Sequence, residues 1–289
     1  MSDDEFVRTL YLGLLGREPD PLGYAHHLGN LQTASANPER YAQMAAAFAA
    51  STEFAMRLER LRLGAGKNHF LPDLTGVRFE NIVSIGSACH AAAALKSARI
   101  RKFSTPFDWI FSSPEMVRHC LEDDFASFLD QTHYLPVEVQ ARQSPEINLC
   151  HHQLFREKFG VQHVFNHHDP TQERDHAYFV RAVDRFRVLL RSADWKLLVL
   201  VSNAPYLVER LEALVAAFGD VTSNYIVLAL SLEATGEAVD ALDAFTAVRH
   251  APSLLAIRMR VAQASTGLTF PVAADNARLD TLLKSFWSA

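Results

Sequence analysis

The chain of 289 residues is 49% hydrophobic and 21% charged, with 12 glycines and 12 prolines; this excludes a disordered protein and allows one large domain or two ordinary ones. A formal charge of −5 at pH 7 provides no general basic field to hold a nucleic-acid backbone, so no nucleic-acid partner is expected. Three cysteines, Cys89, Cys120 and Cys150, are odd in number and widely spaced, which argues against a disulfide framework and for a reducing compartment.

The chain opens Met1-Ser2-Asp3-Asp4-Glu5, acidic where a secretory signal is basic. The longest apolar run, Met44 to Ala50, is far too short to cross a bilayer. A cytoplasmic protein without a membrane span is therefore expected, with leaderless export as the alternative.

Residues 4–63 read as helices. Apolar residues recur at helical spacing from Phe6 to Leu15, Gly16 provides a stop, and Pro19-Asp20-Pro21 makes a turn. A second, alanine-rich stretch runs from Arg40 to Leu63, and Ser51-x-Glu53 is suited to opening a short final helix. The string Phe6-Val7-x-x-Leu10-Tyr11-x-x-Leu14-Leu15-Gly16-Arg17-Glu18-Pro19-Asp20-x-x-Gly23, followed by Ser51-x-Glu53-Phe54, resembles the bacterial family named domain of unknown function 4214. His27 stands where that family usually has tryptophan. The resemblance implies an accessory or interaction domain over residues 1–63 that offers a surface to a protein partner.

Residues 64–80, with Gly64, Gly66, Pro72 and Gly76, read as a linker. Beyond it the period changes. Asn81 to Ile85 is a short buried strand and Ala91 to Ala98 a helix; Lys196 to Ser202, Tyr225 to Leu230 and Leu254 to Val261 are further strands. Helices from Tyr206 to Phe218 and from Glu237 to Ala247 separate them. This alternation predicts an α/β domain over residues 81–289, a mainly parallel sheet with helices on both faces, preceded by the small all-α domain. Reactive groups in such sheets lie beyond the carboxyl ends of strands.

Ser84-Ile85-Gly86-Ser87-Ala88-Cys89-His90 has that location. Gly86 permits a tight turn, and Cys89 falls at or near the first turn of the next helix, where free amides and the helix dipole favour a thiolate. The amides of Gly86, Ser87 and His90 are candidates for an oxyanion hole. The bland alternative is a buried structural cysteine. No phosphate-binding glycine pattern is present.

Arg101 to Ile110 follows, with Ser104, Pro106, Phe107, Asp108 and Trp109. Phe107 and Trp109 are expected to anchor this loop on the core. Asp108, between two aromatics, needs a partner such as Arg101, a histidine or backbone amides. Strand alternation over 161–169 would set His163 and His167 on one face and His168 with Asn166 on the other. The histidine pairs, with Cys150 nearby, show no metal-ligand spacing, so neither a metal nor a cofactor is expected. Arg181 and Arg185 share a face of a helix beginning after Pro170 and could receive an anionic group, unless they pair with Glu173, Asp175 and Asp184.

Val83-Ser84-Ile85-Gly86-Ser87-x-Cys89, Leu95-Lys96, Arg101-Lys102-x-Ser104-x-Pro106-Phe107-Asp108-Trp109, His168-Asp169 and Tyr178-Phe179-x-Arg181-x-x-Asp184-Arg185-Phe186 together resemble a bacterial family of papain-like cysteine peptidases, from about residue 80 onward. The resemblance implies Cys89 as nucleophile, with His168 as base and Asp169 or Asp108 orienting it. Ser104, Trp109, Arg101, Arg181 and Arg185 would then line the substrate. The segment around Cys89 lacks papain's Gly-Ser-Cys-Trp context, and the alternating pattern differs from papain's own fold. The expected function is a cysteine hydrolase or acyl-transfer enzyme acting on a peptide, acyl or glycan conjugate. The alternatives are a sugar- or sugar-nucleotide-handling protein of surface-glycan assembly and a non-catalytic interaction protein.

Overall fold

A computed structural model describes residues 2–15, 18–33, 39–55, 77–142, 149–240 and 243–287. The chain divides into two compact units, Met1–Ala65 and Gly66–Ala289.

In the first unit, α1 (Asp3–Leu10) begins with a capping box. The Ser2 hydroxyl accepts from the Glu5 amide at 3.2 Å, and the Glu5 carboxylate accepts from the Ser2 amide at 2.8 Å. The helix runs into a wider π turn, Tyr11–Leu15. The Asp20 carboxylate then accepts from the Gly23 amide at 2.8 Å and starts α2 (Pro21–Thr33). In α3 (Glu39–Ala49), Arg40 and Tyr41 both donate to Asp3, at 3.1 and 2.6 Å, which ties α3 to α1. Val7, Leu10, Tyr11, Leu31 and Phe48 form the core, and the His27 ring fits between Tyr11 and Phe48, with centroids 5.9 and 4.7 Å away. A turn at 50–51 separates α3 from a short helix at 52–55, opened as expected at Ser51, whose hydroxyl accepts from the Phe54 amide. Gly16, Arg17, the helical stretch expected from 56 to 63 and the expected linker up to 76 lie outside the described residues.

The second unit is α/β. Among the described residues, five strands form its main sheet: β1 (Asn81–Ser84), β4 (Lys196–Ser202), β5 (Tyr225–Ala234), β7 (Leu254–Val261) and β6 (Phe245–Ala251), in that order across it. The first four are parallel and β6 is antiparallel to β7. Leu197 to Val201 and Ile226 to Leu230 are buried throughout, as parallel strands covered on both faces must be. Against one face lie α4 (Cys89–Ser97) and α10 (Ala273–Trp287), which also pack on each other. The other face, with Val83, Leu198, Leu200, Val227 and Ala229, meets α5 (Pro114–Glu122), α8 (Glu173–Arg191) and α9 (Val208–Val221). Two short helices, α6 (Ala126–Leu129) and α7 (Gln153–Phe159), and a two-stranded ribbon, β2 (Tyr134–Pro136) with β3 (Cys150–His152), complete the described residues of this unit. No described helix is long and apolar enough to cross a membrane.

The helix expected from Glu237 to Ala247 is not formed by its described residues: 237–240 are irregular, and 245–247, its expected end, begin β6, which hairpins onto β7 through the turn at 252–253. The alanines suggested helix, but the tertiary pairing with β7 decides. Residues 161–169 form no strand either. Phe165 makes isolated bridges to Ile110 and Cys150, and His163 takes a φ of +48°, so the expected alternation of histidine faces does not occur. A cluster of Phe107, Phe125, Phe128, Phe155, Phe165, Phe179 and Phe186 sits beneath this layer. Phe107 lies 5.7 Å from Phe125 and 5.8 Å from Phe186 in ring centroids, so it anchors the 101–110 loop as expected.

Lys196, fully buried at the head of β4, donates from Nζ to the carbonyls of Ser192, Asp194 and Ser223 at 2.7, 2.8 and 3.1 Å. Lys196→Met would orphan all three carbonyls. Urea unfolding should show a loss of about 1–3 kcal/mol.

Candidate active site

The chain leaves β1 while still bonded to β4: the Ile85 amide donates to the Val199 carbonyl at 2.9 Å, and the Gly86 carbonyl accepts from Val201 at 3.3 Å. Gly86 has a φ of +105°, and a Cβ there would strike the Ser112 hydroxyl, so only glycine fits. The Ser112 amide donates to the Ser87 carbonyl at 3.0 Å and clamps the turn. The Ser87 hydroxyl lies 2.7 Å from that of Tyr206, just past β4. Ala88 is the N-cap, which makes Cys89 the first residue of α4.

Cys89 is only 2% exposed. Burial pushes its thiol up to about 11, and the Asp108 carboxyl acts in the same direction when ionised. A hydrogen bond from the Asn166 side chain and its own backbone amide pull it down. Desolvation outweighs the amides of the helix end, so the expected resting thiolate is a protonated thiol. Cys120 and Cys150 are wholly buried; burial raises both thiols, Cys150 to about 12.

Asp108, 1% exposed, is held by its own loop. Its Oδ2 accepts from Arg101 at 2.6 Å and from the Thr105 amide at 3.1 Å, and its Oδ1 lies 2.8 Å from the Thr105 hydroxyl. Burial raises its pKa against the hydrogen bonds of Thr105 and the charge of Arg101. The Arg101 guanidinium also sits 5.5 Å from the Trp109 ring centre, and the His167 ring meets Trp109 edge-on at 6.3 Å. Ser104 is approached twice from α8: its side chain faces the Tyr178 hydroxyl, and Arg185 Nε donates to its carbonyl at 3.2 Å. Arg185 thus takes a backbone carbonyl rather than Glu173, Asp175 or Asp184. Arg181 stays exposed and makes none of these bonds.

The histidine's carboxylate is not the one expected. His168 Nδ1 is 3.5 Å from Asp175 Oδ1 on α8, and its ring stacks on Tyr178 at 4.6 Å. Asp169 instead accepts from the Thr171 amide and hydroxyl, at 3.1 and 2.5 Å, while its own amide donates to Asp175 at 2.8 Å. Asp169 therefore caps the turn into α8, and Asp108 belongs to Arg101 and Thr105. Neither hydrogen-bonds His168, whose ion-pair contact is Asp175. No hydrogen bond joins Cys89 to His168 in the resting structure. Asn166 is the side chain at the sulfur, and its Nδ2 is also 3.4 Å from His167 Nε2.

His90 turns its side chain away from Cys89. Its Nδ1 lies 2.7 Å from the Ser265 hydroxyl, its ring meets Phe270 edge-on, and burial lowers its pKa to about 4, so the imidazole is neutral. Beside it a cavity of about 120 Å³ lies between α4 and α10, lined also by Ala93, Leu279 and Asp280. Only the backbone of His90 remains available to the Cys89 turn. Asn166, Asp175, Tyr178 and Tyr206 are the side chains sequence reasoning missed as site members. Tyr178 stood in a motif segment and Asn166 in the 161–169 stretch, but nothing in the pattern shows that they reach Ser104 and Cys89.

Native iodoacetamide labelling, read by peptide mass spectrometry, should find Cys89 slow at neutral pH and its rate rising up to a midpoint near about 11. Asn166→Ala should move that midpoint higher, and Cys120 and Cys150 should label only on unfolding. A Cys89 midpoint below the free-thiol value of about 8.5 would contradict the burial account.

The model of the family described as putative papain-like cysteine peptidase matches residues 80–221, and that of domain of unknown function 4214 matches residues 1–58. No curated protein and no solved structure matches the chain significantly. In this order along the chain, residues 1–58 are thus similar to the 4214 family and residues 80–221 to the family described as putative papain-like cysteine peptidase.

Proposed function

We propose that residues 80–221 form the catalytic part of a cysteine-dependent hydrolase or acyl-transfer enzyme, with Cys89 as its nucleophile. The observation that carries this reading is the setting of Cys89: first residue of a helix, beyond the carboxyl end of a parallel strand, with a side-chain amide at its sulfur. Buried Cys120 and Cys150 have no comparable setting. His168, with Asp175 at its Nδ1, is the base. Because the resting thiol is protonated and unbonded to His168, the pair engages only as substrate enters. Apo geometry of this looser kind is common at catalytic sites.

In the reaction Cys89 Sγ bonds the substrate carbonyl carbon while its proton passes to His168. The amides at 87–90 meet the developing oxyanion. Collapse breaks the bond to the leaving amine or alcohol, which departs with the proton from His168. Water, deprotonated by His168, then cleaves the thioester and restores the thiol. The substrate class is a peptide, acyl or glycan conjugate.

Burial of Cys89 favours one other reading, a non-catalytic domain that keeps the fold and a structural cysteine. Para-nitrophenyl acetate separates the two. Catalysis predicts an acetyl group on Cys89 by mass spectrometry, absent from Cys89→Ala and formed about 10²-fold or more slowly in His168→Ala. Asp175→Asn should slow it less. Acetylation confined to surface lysines would sink the catalytic reading.

A further inference from the structure

Asp108 is bonded in a way that counts its protons. Asn81 and Ile85 direct their amides at β4, to Trp195 and Val199. Alternation along a parallel strand therefore turns the backbone of Ser84 outward from the sheet edge. Ser84 is fully buried, so its carbonyl needs a donor there, and the Thr105 hydroxyl, 2.9 Å away, provides it. A threonine hydroxyl has one hydrogen. With that hydrogen on Ser84, the 2.8 Å contact between Thr105 Oγ1 and Asp108 Oδ1 needs a hydrogen from the aspartate. The other carboxyl oxygen, Oδ2, accepts from Arg101 and from the Thr105 amide, as the carbonyl oxygen of a neutral acid would.

We infer that Asp108 stands protonated at neutral pH and donates a hydrogen bond to Thr105, as a positioning residue that pins the 103–109 loop to the edge of β1. Three ionisable groups face it: Arg101 from its own loop, Cys89 from α4 and Tyr178 from α8, with the charge of Arg185 acting on Tyr178 in turn. Arg101 is the cation in hydrogen-bond contact and favours ionisation; burial and the single hydroxyl hydrogen oppose it. A neutral Asp108 adds no negative charge beside the thiol. Its service to Cys89 rests on the function proposed above, whereas its protonation does not.

Asp108→Asn tests the protonation directly, because the amide reproduces the pattern: NH₂ toward Thr105 and C=O toward Arg101. An acid whose folded pKa lies above its unfolded value of about 3.9 loses stability as pH rises between the two. The melting temperature of Asp108→Asn minus that of wild type should therefore climb from about pH 4 to about pH 7. A difference that falls over this range is the signature of an ionised, salt-bridged aspartate and overturns the inference. Infrared spectroscopy provides a second readout. Wild type at neutral pH should show a protonated-carboxyl carbonyl band that is lost in Asp108→Asn and shifted to higher wavenumber in Thr105→Val, which removes the acceptor. A wild type without the band, or a band that Thr105→Val leaves unmoved, overturns it even where Asp108→Asn fails to fold. Neither readout depends on turnover, so both stay informative whether or not Cys89 is catalytic.

Discussion

The site depends on how the exposed edge of β1 is closed. An edge strand presents backbone groups with no neighbouring strand, and here Ser84, at its end, is buried. The 101–112 segment answers that need with Thr105, and everything around Cys89 follows from the answer. Phe107 drops into the phenylalanine cluster beneath, Asp108 and Arg101 brace the loop, and Ser112 returns to clamp the Ser87 turn. The rare-residue string that stands out in the sequence is thus a strand-edge closure as well as a site wall. One segment serves both because the strand that needs covering is the strand that ends at the turn before Cys89.

The electrostatics of the recess are those of a closed state. Cys89, His90 and Asp108 are all nearly fully buried, and in each case desolvation is the leading influence and favours the neutral form. A helix N-terminus by itself does not make a thiolate when the sulfur is taken out of water. Solvent or substrate has to reach the sulfur before the helix end and Asn166 can tip the balance.

The fold was largely legible because period and burial agree. Lys196 to Ser202 reads as a strand and is one; the helix expected after Pro170 runs from Glu173 to Arg191. The sequence misled where a partner decides. Residues 245–247 have no strand character strong enough to override their alanine-rich neighbours until β7 lies alongside. The same holds in the site. Cys89, Arg101, Ser104 and Asp108 were readable because a loop and its neighbouring strand bring them together over short chain distances. Asp175 was not, since Asp169 sits directly next to His168 in sequence but is drawn off by Thr171, two residues on. Local capping holds Asp169, the one of the two candidate carboxylates that lies next to the histidine in sequence. Asn166 lies 77 positions from Cys89, and only the bridges at Phe165 bring its segment alongside.

The far edge of the sheet is handled by different means. β6 ends the sheet with an irregularity between Ala247 and Arg249, where its register against β7 slips. Arg249 on this strand is pinned by Glu212 of α9, at 2.8 Å. A kinked outer strand with a tethered cation is a poor template for another chain's backbone. The sheet therefore has one edge sealed by its own loop and the other guarded against intermolecular pairing. Among the described residues, the four-stranded parallel core thus meets a loop at the end of one outer strand and an irregular, charged strand at its other side.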